Sequence, residues 1–268
     1  MEACRLCKRT VPQLRNSHII PECLYQPIYD FRHRFIPIQS DKYSPARIEQ
    51  MGYRERLLCP DCEIKLGKWE NVTKQTLVAM SDLRVGVNGP LKKISLSSDW
   101  ILVQGINYNA VKKCMLSILW RMSISTVPIF RSYKLGPYEE RLRSILNADS
   151  TLSCAEYPLK MHRITVGAQH YPDLIMGMNR GRIANQFIQQ SFIVYGFLVD
   201  IVLSAGFPNQ FSTVLLNEAG EMPIRNYEFN ELPQNPDLMR RFNDDDIQRL
   251  YPNRNQPMAA RNTRNPSE

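Results

Sequence analysis

The chain has 268 residues, 43% of them hydrophobic, and a formal net charge of +8. That length suits one large domain or a small one plus a larger one, and the apolar fraction predicts that most of it buries a core. Seven cysteines, an odd number with four in two tight pairs, exclude a secreted disulfide framework, and the most apolar stretch, Phe192 to Phe207, carries Asp200 and is too short to span a bilayer.

The first quarter holds the two pairs, Cys4/Cys7 and Cys59/Cys62, around a proline- and aromatic-rich segment read as short strands and loops. After Cys62, EIKLGKWENVTKQTLVAM lacks proline and predicts a helix. A second part starts near Leu83. Trp100 to Tyr108 reads as a strand, and NAVKKCMLSILWRMSIST as a helix with Val111, Cys114, Met115, Ile118, Leu119 and Met122 on one inward face. Trp120-Arg121 within it reads as packing plus one polar contact. Pro128 bars its extension. YEERLRSILNA predicts a shorter helix, with Glu139 and Arg143 paired along its exposed side. Beyond Ser150 the pattern turns to β: His162 to Val166, then Ser191 to Ser204 with a bulge or kink at Gly196, then a hairpin from Phe211 to Tyr227 around Asn217 to Gly220. The tail from about Glu231 is polar, and disorder is expected from about Asn253.

Two Cys-x-x-Cys turns present four thiolates, which suits one tetrahedral structural zinc. The rival readings are buried unligated thiols, or a redox pair, which needs only one Cys-x-x-Cys in a βαβ frame. Basic residues, Arg15, Arg54, Arg56, Lys65 and Lys68 among them, surround this region. They are candidates for phosphate contact. The interleaved Tyr25, Tyr29, Phe31, Phe35 and Tyr53 read first as a small core rather than as stacking platforms for bases. His162 and His170 have no neighbours at ligand spacing, Cys114 and Cys154 read as buried apolar thiols, and no nucleotide-cradling glycine motif occurs.

CRLCKRT, then Ser17-His18-Ile19-Ile20-Pro21, then LLCPDCEIKLGKWE resembles the zinc-stapled HNH nucleases of the ββα-metal fold over about residues 1 to 75. The remainder resembles the second domain of uncharacterised bacterial HNH-like proteins, which brings no known chemistry. The resemblance implies a histidine general base, by position His18, and one Mg²⁺ or Mn²⁺ on the scissile phosphate. The chain departs from the pattern at three places. Ser17 stands where an acidic ligand often precedes the histidine. The asparagine expected before the second pair is missing from Tyr53 to Leu58. Glu63 replaces the usual Asn or His after Cys62. Glu63 can serve as the hard-cation ligand, with Glu55 assisting and Glu70 a further candidate, or it can be an ordinary acidic residue in a helix's first turn.

The expectation is an α+β chain. Residues 1–78 form a small zinc-stapled HNH-like module, 79–230 a larger mixed α/β domain, and 231–268 a polar tail. The expected function is metal-dependent phosphodiester hydrolysis in a cytoplasmic protein, with bacterial defence against phage as what the resemblance suggests. The alternatives are a catalytically degenerate zinc module that binds nucleic acid or a protein partner, and an assembly component that oligomerises through its C-terminal part.

Overall fold

The computed structural model describes residues 1–30, 32–35, 49–82, 89–167, 169–204, 206–208 and 213–231. The expected disorder beyond Asn253 and the start of a second part at Leu83 therefore lie outside the described residues. The N-terminal elements are short. Strands β1 (Glu2–Ala3) and β2 (Thr10–Val11) pair across the first cysteine turn, and β3 (Arg15–His18) pairs antiparallel with β4 (Arg54–Leu58). Between them lies a one-turn helix α1 (Glu22–Tyr25), followed after β4 by the long helix α2 (Pro60–Ser81). Cys59 is the N-cap of α2 and Pro60 its first residue, a position where the missing N–H costs nothing. Asp61 and Glu63 in the first turn add charge of the favourable sign.

Next come β5 (Lys92–Ser95), β6 (Trp100–Gln104), α3 (Tyr108–Ile124) and α4 (Tyr138–Ala148). The Asn107 side chain caps α3 by accepting from the Ala110 N–H. This helix is not the one-faced element its periodicity predicts: every residue except Asn109 is buried. A helix enclosed all round is a central column rather than a surface element, and its polar residues need partners. Lys112 Nζ donates to Tyr108 Oη and to the Ser153 carbonyl, at 2.9 and 2.7 Å. Lys113 pairs with Asp149. Arg121 does more than make one polar contact. It pairs with Glu70 at 2.8 Å and donates to Ser117 and to the His18 carbonyl. On α4, Arg143 pairs with Glu140 rather than Glu139 and donates to the Leu6 carbonyl beside the first cysteine turn.

The second half is a sheet of eight strands among the described residues. It adds β7 (Leu159–Val166), β8 (Gln169–His170), β9 (Met176–Ile183), β10 (Phe187–Val194), β11 (Phe197–Val202) and β12 (Glu221–Glu228). The order is β5-β6-β12-β7-β11-β10-β9, with β8 beside β7, and only the β12–β7 pair is parallel. The run from Ser191 is not one kinked strand but the hairpin β10–β11. Tyr195 and Gly196 both have positive φ, 54° and 69°, as a two-residue type I′ turn requires. A Cβ on Gly196 would meet the Tyr171 carbonyl. Asn217 to Gly220 does form a turn, but not a hairpin. Phe211 and Ser212 lie outside the described residues, no strand precedes the turn from 213 onward, and β12 pairs with the distant β6 and β7.

One apolar core is continuous from Cys4 to Ile224, with α3 inside it. A smaller cluster of Ile164, Leu174, Ile193 and Phe229 accompanies the sheet. Of the aromatics expected to form the small core, Tyr25, Tyr29, Phe35 and Tyr53 do so, with Phe130 joining at the edge of Tyr53, while Phe31 is outside the described residues.

Candidate metal centre and the histidine cluster beside it

The β1–β2 turn and the N-terminus of α2 bring Cys4, Cys7, Cys59 and Cys62 together. Their four sulfurs lie within 4.8 Å of one another. Cys7 Sγ and Cys59 Sγ are 3.7 Å apart, and none of the four is in a disulfide. Zinc–thiolate bonds of about 2.3 Å at tetrahedral angles place sulfurs roughly 3.8 Å apart, so the set fits a metal ion such as zinc. The knuckle backbone is specific. Cys4 N–H donates to the Arg9 carbonyl, Lys8 N–H to the Cys4 carbonyl, and Lys8 takes a positive φ of 63°. Cys59 N–H donates to Cys4 Sγ at 3.3 Å.

Four thiolates around a divalent ion leave excess negative charge, and Arg9 is placed against it. Its Nε is 3.5 Å from Cys7 Sγ and its Nη2 is 3.8 Å from Cys59 Sγ, with Asp61 Oδ2 fixing the guanidinium at 2.6 Å. Burial pushes the thiols of Cys4 and Cys62 up. Burial raises Cys7 too, but hydrogen bonds from Arg9 and from neighbouring groups outweigh it and bring Cys7 down to about 6.

The β3–β4 hairpin has two unlike faces, because successive strand residues point to opposite sides. Ser17 and its partner Glu55 take the inner side. Ser17 is fully buried and its Oγ–H donates to Glu63 Oε2 at 2.6 Å. Glu55 accepts from Ser125 Oγ, Thr126 N–H and Thr126 Oγ1 at the end of α3. Asn16 and His18, opposite Arg56 and Arg54, take the other side. Asn16, Arg34, Tyr53 and Arg54 help line an open groove there of about 670 Å³. Arg34 is held by Asp30 through two bonds, at 2.7 and 2.9 Å, so Arg54 is the groove's less committed cation.

His18 turns to Glu22, four residues on and at the start of α1. Its Nε2 lies 2.6 Å from Glu22 Oε2, yet neither atom is aligned as a hydrogen bond, and both are buried. The other carboxylate oxygen accepts from Tyr29 Oη at 2.9 Å and meets His33 Nε2 at 3.1 Å. Arg54 Nη2 is 3.7 Å from Oε2. Burial and the nearby Arg54 charge lower the His18 pKa, against the opposing pull of Glu22. Burial raises the Glu22 carboxyl, but Tyr29, both histidines and Arg54 together take it below the usual range.

The structure thus brings the four cysteines into one centre and keeps His18 and Glu63 in different settings: Glu63 is engaged by Ser17, His18 by Glu22. Glu70 is engaged by Arg121. Of the basic candidates, Arg54 reaches the groove. Arg56 is exposed and 3.7 Å from Glu2, Arg15 and Lys68 are exposed, and Lys65 donates to the Asn147 carbonyl at the end of α4. Sequence reasoning missed Glu22, His33, Asn16 and the reach of Arg121. The spacing His18-x-x-x-Glu22 was a readable signal for the first. His33 and Arg121 carried none, since both reach their partners only through the tertiary fold. No family model, no curated protein and no solved structure matches this chain.

Proposed function

We propose that this chain binds nucleic acid through the outward face of its N-terminal hairpin, as an HNH-like module stapled by zinc at Cys4, Cys7, Cys59 and Cys62. The observation that carries this reading is the composition of that face. Asn16, His18, Arg54 and Arg56 lie on one side of two paired strands beside an open groove. Guanidinium groups contact phosphates, and amide and imidazole groups add hydrogen bonds. The position where the resemblance implies a catalytic Mg²⁺ or Mn²⁺ favours binding over cleavage. Ser17 offers no carboxylate there, and its hydroxyl ties up an oxygen of Glu63.

Phosphodiester cleavage is the second reading, and one observation favours it. Burial and the Arg54 charge lower the His18 pKa, the direction a general base requires.

The two readings separate in one experiment. Single-stranded DNA, duplex DNA and RNA are incubated with wild type, Arg54→Ala, Lys65→Ala and His18→Ala, with Mg²⁺ or Mn²⁺. Binding predicts retention that Arg54→Ala weakens for every sequence, with the salt slope falling by about 1. Lys65→Ala leaves retention unchanged, because that ammonium is spent on α4. Cleavage that disappears in His18→Ala replaces the binding reading with the nuclease. Absence of both retention and cleavage overturns each and leaves a protein partner.

A further inference from the structure

We infer that His18, Glu22 and His33 hold a second divalent cation, of the first-row transition class, separate from the four-cysteine centre. Two imidazole Nε2 atoms converge on the two oxygens of a single carboxylate, at 2.6 Å for His18 and 3.1 Å for His33. Two imidazoles and one carboxylate make a donor set that binds zinc, cobalt or iron(II) and leaves coordination positions open.

Three further observations point to a ligand rather than to simple ion pairs. First, His18 Nε2 and Glu22 Oε2 are buried and lie 2.6 Å apart in a short ion-pair contact, so an imidazole nitrogen and a carboxylate oxygen already face each other at the point where a cation would sit. Second, the trio is supported from outside. Tyr29 donates to Glu22 Oε1 at 2.9 Å, accepts from the Gly52 N–H at 2.8 Å, and stacks its ring on His33 with centroids 3.8 Å apart. Such outer partners orient ligands at metal sites. Third, His33 takes the left-handed conformation, φ 58°, at the end of a turn held by Asp30, which accepts from the Arg32 and Arg34 N–H groups. A residue other than glycine in that region is held there by its surroundings, and here the conformation accompanies a ring placed against Glu22.

The trio is not closed as it stands, since each ring meets a different oxygen. The His33 side chain is 58% exposed, and an exposed ring can swing onto an ion held by the other two. Arg54, 3.7 Å from Glu22, would then stand beside the cation. If the nucleic-acid reading holds, a phosphate has both to bind. The cation site itself does not depend on that reading.

The test uses the full chain with zinc already in the cysteine centre and Co²⁺ alone as the probe, followed by calorimetry and by absorption. Soft thiolate ligands select zinc, so the cysteine centre keeps its zinc. Wild type should bind one Co²⁺ per chain without a thiolate-to-cobalt band. His33→Ala should weaken that binding by about 10- to 100-fold or more, the range seen when even an outer partner of a metal ligand is lost. Glu22→Gln should abolish it. Zinc content of one ion per chain in each variant shows that the fold survives. If wild type takes up no cobalt while zinc is in place, or if His33→Ala binds as tightly as wild type, the inference is wrong.

Discussion

The residues before Asp82 and the sheet that follows are held together in different ways. In the first region the strands have two to five residues and α1 is a single turn, so backbone pairing alone contributes little. Beyond its share of the common apolar core, order there comes from a few atoms with specific partners: four sulfurs, the Glu22 carboxylate, the Ser17–Glu63 bond and the buried Arg121 guanidinium. In the second region β7, β9, β10 and β12 have eight residues each, and the sheet buries Leu159, Met161, Phe192, Val194, Phe197 and Ile201 in one core. Loss of one such side chain is shared among many neighbours, whereas loss of one sulfur or one charge removes a vertex of the fold. The functional candidates lie in the region organised by few, specific contacts.

The largest expected effect tests that contrast at its root. Structural zinc sites bind with apparent free energies of about 10–16 kcal/mol, as much as a whole domain's stability of roughly 5–15 kcal/mol. Chelation, or Cys59→Ser, should therefore release the amides of β3, β4 and the start of α2 to hydrogen exchange. Those of β7, β10 and β11 should stay protected. Equal protection of β3 and β4 in the metal-free chain would show that the aromatic cluster of Tyr25, Tyr29, Phe35 and Tyr53 holds this region without metal.

Arg121 joins the two regions, and its loss should come next in size. The side chain is 1% exposed and links α3 to Glu70 of α2 and to the His18 carbonyl. Removing one partner of a buried ion pair costs about 3–5 kcal/mol, because the other charge is stranded. Glu70 is 20% exposed and can recover some solvation, so Arg121→Met should fall near the lower end in urea unfolding. Pairing it with Glu70→Gln should recover part of that loss, since the stranded charge is then gone. A loss for the double variant equal to the sum of the two single losses would mean that the pair itself contributes nothing.

These two sets of contacts were not equally legible in the sequence. The cysteine centre could be read from spacing alone, because each Cys-x-x-Cys fixes two ligands locally. Helix α4 was predicted with the bounds it has, and α2 within three residues at its start, because both patterns are local. Contacts closed across long separations left no such trace. Periodicity gave α3 one buried face, but Lys112, Lys113 and Arg121 are buried too, through partners tens of residues away. The turn at Asn217 to Gly220 was readable, whereas the pairing of β12 with β6 and β7 was not. At the candidate site the resemblance directed attention to Glu63. The fold gave Glu63 to Ser17 and gave His18 a partner in Glu22.

Acid should reveal the sheet's own weak point, at a smaller cost than either change above. His162 and His170 are each 8% exposed, and burial lowers both to about 4. His162 lies between Trp100 and Tyr227, with ring centroids 5.9 and 6.0 Å away, and His170 packs on Phe197 at 4.8 Å. A folded pKa below the unfolded value of about 6.5 means that the unfolded chain binds the extra protons. Stability is then fully present above about pH 6.5 and falls as the pH drops toward 4. Thiolate protonation weakens the zinc centre over an overlapping range, so the two contributions must be separated. His162→Phe keeps the aromatic packing and removes one titrating group. Between pH 6.5 and 4 it should flatten the acid loss of protection in β7 and β11 and leave that of β3 and β4 unchanged. An unchanged acid profile in β7 would locate the sensitivity in His170 alone, and a change in β3 or β4 would show that the two regions unfold as one unit.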